Sequence, residues 1–350
     1  MRIAGVGRAL PPHAYDQAAI LQACEAIWGD RPEDLRRLAG FFRTVKVKKR
    51  HLAEPLASYL PARTFGQTND VWIRVANELG EHAIRQALER AGLGPRDVDM
   101  LIVASVTGIA SPSLDAMLIE RMELRLDTKR VPIFGLGCVA GAAGLARAAD
   151  YVRAFEGQVA VLLAVELCSL TLQRGDLSVS NLISTGLFGD GAAAVVVTGA
   201  ARGEEGPRVV ATRSSLYPGT RHVMGWDVSE NGFGLVLSPE VPDMARKHLA
   251  CDVDRFLADH GLLRSDIARW VCHPGGPKVL LAVQEALGLD DGALALSWQE
   301  LAEHGNLSSA SVLMVLEAML RENPGRRGEH GLVMAMGPGF CSELVLLQFG

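Results

Sequence analysis

This chain carries an internal duplication. The segment AGLGPRDVDMLIVAS at 91–105 lies over HGLLRSDIARWVCHP at 260–274 without a gap, setting Gly92 on Gly261, Leu93 on Leu262, Asp97 on Asp266 and Val98 on Ile267 at a constant offset of 169 residues. Gly137-Cys138, followed by a helix of small residues, matches Gly305-Asn306, followed by SSASVLMVLEAMLRE, at an offset of 168. Gly189-Asp190-Gly191 before AAAVVV then matches Gly337-Pro338-Gly339 before the last apolar run. Three matches in the same order predict a duplicated βαβ unit, because self-similarity at a fixed spacing marks a repeated supersecondary element.

The apolar pattern agrees. Val98–Val106, Val131–Leu136, Val159–Leu167, Ala192–Thr198, Val209–Ser214, Ala268–Cys272, Leu332–Met336 and Leu344–Phe349 read as strands, and the N-terminal MRIAGVGRAL as a first strand. Between them Val71–Ala91, Val139–Phe155, Asp243–His260, Pro277–Leu287 and Ser308–Arg321 read as helices, so the alternation predicts an α/β chain with much parallel sheet. TGAARGEEGPR, at Thr198–Arg208, is polar and Gly-rich, which makes it the candidate boundary between halves 1–200 and 201–350.

Charge and cysteine usage exclude several classes. A formal net charge of −5 offers no global positive field to hold a nucleic-acid backbone or an anionic membrane. The six cysteines form no CxxC pair and no Cys/His cluster at metal-ligand spacing, so a reduced cytoplasmic protein without a bound metal is expected. Apolar runs such as Val159–Val165 fall far short of the roughly 20 residues that span a bilayer. The one dense positive patch is RTVKVKKR, Arg43–Arg50.

If the halves are related by a pseudo-two-fold axis, Cys138 and Asn306 occupy equivalent helix N-termini facing each other, and His273 ends the strand that matches 98–105. A helix N-terminus and a nearby imidazole both favour a thiolate, which makes Cys138 the candidate nucleophile. His273 can pair with that thiolate and then donate to a thioester oxygen. Asn306 offers an uncharged N–H to a developing oxyanion. Cys168, Cys251, Cys272 and Cys341 read as small buried hydrophobes, Cys272 on the packing face because its side chain opposes that of His273. His304 reads as a supporting loop residue.

GLGCVAGAAGLARA, GLFGDGAAAVVV, HPGGPKVL, HGNLSSASVL and AMGPGF resemble the type III polyketide synthases, the chalcone-synthase-like family, over nearly the whole chain. The resemblance implies a thiolase fold, a homodimer of five-layered αβαβα subunits and a triad of Cys138, His273 and Asn306. It also implies acyl-CoA and malonyl-CoA as substrates without a cofactor, and Phe188 as the gate between the CoA tunnel and the cavity. Ser308 and Gly339 would be further substrate-binding positions, and Arg43, Lys46 and Lys48, with Arg36 or Arg37, a clamp for the CoA phosphates. β-Ketoacyl-ACP synthase III, a single-round condensing enzyme, typically has His-Gln-Ala-Asn where this chain has His273-Pro274-Gly275-Gly276. The carboxylate that hydroxymethylglutaryl-CoA synthase needs near its cysteine has no match. A catalytically silent scaffold does not fit an intact Cys, His and Asn. Ser111 and Leu235 stand where plant members carry bulkier residues, which is similar to the bacterial branch that loads long-chain fatty acyl starters and makes alkylpyrones or alkylresorcinols.

Overall fold

The computed structural model describes residues 1–29 and 31–350. Its strands in chain order are β1 (Arg2–Ala9), β2 (His13–Asp16), β3 (Lys49–Leu52), β4 (Met100–Ala104), β5 (Lys129–Ile133), β6 (Val159–Leu167), β7 (Asp190–Thr198), β8 (Arg208–Leu216), β9 (Met224–Ser229), β10 (Gly232–Leu237), β11 (Ile267–Cys272), β12 (His330–Gly337) and β13 (Cys341–Gln348). Nine form one sheet in the order β11-β12-β13-β8-β1-β7-β6-β4-β5, and β2–β3 and β9–β10 are separate two-stranded ribbons.

The sheet is two sheets joined at a seam, where β1 meets β8 through the single register pair Arg2 and Arg208. On one side β4 runs parallel to β6, and β6 antiparallel to β7, which pairs antiparallel with β1. On the other side β11, β12, β13 and β8 repeat those relations in the same order. The duplication read from the sequence therefore appears as a repeated strand order. It also appears in the turns. The helices Phe65–Arg90 and Val241–Ala258 end at the left-handed glycines Gly92 and Gly261, with φ of 68° and 70°. Such a conformation suits a residue without Cβ and lets the chain close the helix end. Asp97 and Asp266 then accept the backbone N–H of Gly94 and Leu263 at 2.8 and 2.7 Å.

Five layers follow. The helices Ala140–Ala154 and Ser309–Glu322 lie between the two sheet halves, where Ala142, Leu145, Val312 and Leu313 pack with Val195 and Val345. Helices Phe65–Arg90 and Leu114–Arg121 cover one outer face, and Val241–Ala258, Pro277–Leu287 and Ala295–His304 the other. The two central helices approach so closely that a Cβ on Gly141 would sit 2.2 Å from the Ser309 carbonyl oxygen, so glycine is required there. Residue 200 falls in the turn between β7 and β8, yet the central core draws side chains from both halves.

Among the elements without a counterpart in the repeat, which include β5 and the β2–β3 ribbon, two bear on the site. Helices Gln17–Trp28, Pro32–Thr44 and Val179–Leu187 pack on one another through Ile20, Trp28, Leu38, Phe42 and Leu182. The β9–β10 ribbon is the second. Among the described residues no helix is long and apolar enough to cross a membrane, and no group of His, Cys, Asp or Glu could hold a metal ion.

Candidate active site

Cys138, His273 and Asn306 line one cavity of about 900 Å³. After β5 the chain turns through Gly137 at a φ of 54°, where a Cβ would lie 2.7 Å from the Pro338 ring. Glycine is needed on both counts, and the turn delivers Cys138 to the foot of the helix Ala140–Ala154. Its Sγ lies 3.8 Å from Ser308 Oγ. His273 follows β11, its backbone N–H donating to Met334 O at 2.9 Å, and both ring nitrogens are buried without a hydrogen-bond partner. Asn306 follows Gly305, which has a φ of 74°. Its carboxamide is oriented from both ends: Ser308 N–H donates to Oδ1 at 2.8 Å, and Nδ2 donates to Gly275 O at 3.3 Å. The other N–H of the amide is left for Cys138 or for a bound substrate oxygen.

Burial dominates the electrostatics. It pushes the Cys138 thiol up to about 12, while hydrogen bonds with Ser308 and Asn306 pull it down and the Glu166 charge pushes it further up. Burial likewise holds His273 at about 4. Burial thus works against the thiolate that the helix N-terminus was expected to favour, because desolvation penalises either charge taken alone. Low polarity also strengthens attraction between a thiolate and an imidazolium, so an imidazole that takes up the thiol proton lowers the cost of the thiolate. His273→Gln removes the partner and leaves burial unopposed. The midpoint of Cys138 alkylation by iodoacetamide, followed against pH, is then expected to rise in the variant, each unit costing about tenfold in thiolate at neutral pH. An unchanged midpoint would show that His273 does not share the proton.

Phe188, Leu235 and Ser308 line the cavity as expected. Gly339 does not; its φ of 83° turns the chain so that the neighbouring Pro338 does. Ser111 is exposed and lies outside this chain's cavity. Arg43, Lys46 and Lys48 also lie outside it, because the alternation of the segment buries Val45 and Val47 and turns Lys46 and Lys48 to solvent. Arg37 and Lys278 are the cations that line it. Cys272 belongs to the packing core and also borders the cavity, as does Cys168. His304 ends the helix Ala295–His304 rather than lying in a loop, and is held near 3 by burial.

Several wall residues escaped sequence reading. Met224 and Trp226 on β9 lie opposite Leu237 and Leu235 on β10, and all four line the cavity. The alternation MGW against LVL was the available signal, since residues two apart on a strand share a face. Glu166 was also missed. It is fully buried and accepts from Val106 N–H, Thr107 Oγ1 and Ser309 Oγ, so the carboxylate beside Cys138 is occupied by structural donors and does not line the cavity.

The family model described as FAE1/Type III polyketide synthase-like protein matches residues 52–211, and that of the chalcone and stilbene synthases, C-terminal domain, matches 208–349. The chain is 50% identical over 350 residues to a 1,3,6,8-tetrahydroxynaphthalene synthase of Streptomyces peucetius subsp. caesius, covering 99% of this chain and 93% of that protein. The chain belongs to the type III polyketide synthases. It is an acyltransferase of the kind that condenses malonyl-CoA with decarboxylation. It is also 34% identical to a 3,5-dihydroxyphenylacetyl-CoA synthase of Streptomyces toyocaensis, covering 99% of this chain and 90% of the other. The crystal structure of 1,3,6,8-tetrahydroxynaphthalene synthase from Streptomyces coelicolor A3(2) superposes with a TM-score of 0.94 at 33% identity, covering 100% of this chain and 99% of that one. The thiolase fold expected of a type III polyketide synthase is the fold observed.

Proposed function

We propose that this polyketide synthase primes itself with malonyl-CoA and builds a polyhydroxylated naphthalene of the 1,3,6,8-tetrahydroxynaphthalene type. The observation that carries this reading is the 50% identity, along 99% of the chain, to the Streptomyces peucetius enzyme of that name. A naphthalene skeleton divides wholly into two-carbon units, so decarboxylated malonyl groups supply every carbon and no other starter is required.

In this reading Cys138 attacks the starter thioester, its proton passes to His273 and then to the departing CoA thiolate. A second malonyl-CoA loses CO₂, and the electron pair left behind becomes an enolate whose oxygen accepts from the His273 ring and the free Asn306 N–H. The enolate carbon attacks the acyl group on Cys138, forming the new carbon–carbon bond and releasing the thiolate. Phe188 gates the entrance. Arg37 and Lys278 reach CoA phosphates, with Arg43, Lys46 and Lys48 contributing outside the mouth. The functional unit is a homodimer, in which the exposed segment around Ser111 meets the partner. Thioester and malonate carry all the chemistry, so no cofactor is needed.

The long-chain reading keeps one observation in its favour: Leu235, Met224, Ile183 and Val279 give the roughly 900 Å³ cavity apolar walls, and each CH₂ placed against such walls gains about 0.8 kcal/mol. The two readings separate in a starter series from two to about eighteen carbons at fixed malonyl-CoA. Malonyl priming is expected to give one aromatic product from malonyl-CoA alone, with little response of kcat/KM to added acyl-CoA. A rise in kcat/KM with chain length to a plateau would favour the long-chain synthase instead. Leu235→Phe narrows the wall opposite Trp226. It is expected to suppress whatever long-chain use exists while leaving malonyl-only turnover within about threefold.

A further inference from the structure

The basic run Arg43–Arg50 ends in a residue that none of these roles uses. Arg50 is 3% exposed. Its Nε donates to Gln17 Oε1 at 3.0 Å, and one terminal nitrogen donates to two backbone carbonyls, those of Thr185 at 2.7 Å and Phe188 at 2.8 Å. The guanidinium stands over the Phe42 ring at 5.6 Å. Its methylenes lie so close to Gly305 that a Cβ there would come within 3.2 Å of Cδ and 3.3 Å of Cγ.

These contacts surround a single junction. Asn306 N–H donates to Leu187 O at 2.9 Å and Gly189 N–H donates to Asn306 O at 3.0 Å, which pairs the gate residue Phe188 with the oxyanion residue Asn306 as an isolated parallel bridge. Arg50 grips the carbonyls on one side of that bridge and packs on Gly305 at the other. Gln17, which accepts from Arg50, donates through Nε2 to Gly186 O at 2.7 Å, adding a second hold on the same segment.

We propose that Arg50 is a positioning residue that locks the gate segment Thr185–Gly189 to the Asn306 loop, so that the Phe188 ring and the Asn306 carboxamide keep one relative placement through every extension cycle. This rests on the reading of Asn306 as the enolate donor and Phe188 as the gate. A guanidinium suits the task because its planar fork fixes several acceptors at once through charge-assisted bonds, whereas a lysine ammonium fixes one point. Burial lowers the guanidinium only to about 10, so it stays charged at neutral pH. A side chamber of about 70 Å³ beside Arg50 leaves room for a water next to a shorter side chain, which helps Arg50→Lys to fold.

The test compares Arg50→Lys, Gln17→Leu, their double variant and Asn306→Ala in two separate steps, acyl loading on Cys138 by intact mass and decarboxylation of malonyl-CoA by CO₂ release. With Arg50→Lys folded by circular dichroism, loading is expected to stay within about threefold of the parent. Decarboxylation kcat is expected to fall by about tenfold with KM little changed, as a misplaced donor requires, and early-released lactones to increase. Gln17→Leu should move the same ratio less, and the double variant no further than Arg50→Lys alone. If Arg50→Lys does not fold, the ratio in Gln17→Leu decides. Equal slowing of both steps, or no change in their ratio while Asn306→Ala loses decarboxylation, overturns the positioning role alone. Normal decarboxylation by Asn306→Ala overturns the reading of Asn306 and the proposal with it.

Discussion

Cys138→Ala is expected to abolish acyl-enzyme formation and all product, the largest effect of any single substitution in this chain. No other cysteine can take over. Cys168 and Cys272 also border the cavity, but neither sits on the turn that ends at the foot of the helix Ala140–Ala154. Neither packs beside Ser308 as Cys138 does. Intact-mass measurement after incubation with an acyl-CoA checks the expectation, and a persistent adduct on the variant would place the nucleophile elsewhere. The variant should fold, since a buried Cys→Ala change removes one small atom from a cavity wall and exposes no unpaired polar group.

Asn306→Ala carries the second largest effect. Its carboxamide is aligned by Ser308 N–H and Gly275 O before any substrate arrives, so the free N–H needs no reorganisation to meet an enolate. Loss of one such donor typically costs about 10²- to 10³-fold, and malonyl-CoA decarboxylation should fall by that much. Loading on Cys138 should fall far less, because attack by the thiol does not create the enolate. Parallel loss of both steps would mean that the substitution disturbs the loop from Gly305 to Ser308 rather than a reacting atom. That loop is sensitive, since Ser308 itself holds a φ of 47°, which a residue with a Cβ adopts only under strain.

Sequence carried most of the scaffold because the scaffold is repeated. The match of 91–105 with 260–274 reappears as equivalent strands β4 and β11, each preceded by a left-handed glycine and an aspartate-capped turn. Motifs at glycine-bounded turns located Cys138, His273 and Asn306, since positive φ at Gly137 and Gly305 leaves a sequence trace. Much of what the repeat does not contain stayed hidden. The helices Gln17–Trp28, Pro32–Thr44 and Val179–Leu187 have no partner segment against which to be read, and neither has the β9–β10 ribbon, whose alternation stands alone in the sequence. Both supply cavity walls, which is why Trp226, Met224 and Phe41 were not foreseen. The run Arg43–Arg50 looked like one patch, yet a bend at Lys46, with a φ of 59°, and burial of its last residue divide it into exposed cations and an internal strut. Charge density in sequence does not distinguish these fates. The burial that pushes the Cys138 thiol up was equally illegible, because the depth of the cavity is set by the whole fold and not by the local motif.

Malonyl priming is tested most directly by isotope content. The enzyme is given malonyl-CoA labelled with ¹³C at every malonyl carbon, together with a pool of unlabelled acyl-CoAs from acetyl to long-chain, and the products are weighed by mass spectrometry. The expected result is one dominant aromatic product whose mass is that of a tetrahydroxynaphthalene with every carbon labelled, whatever acyl-CoA is present. Products carrying an unlabelled acyl block joined to labelled extender units, with no fully labelled aromatic among them, would contradict the proposal and leave a polyketide synthase that depends on a supplied starter.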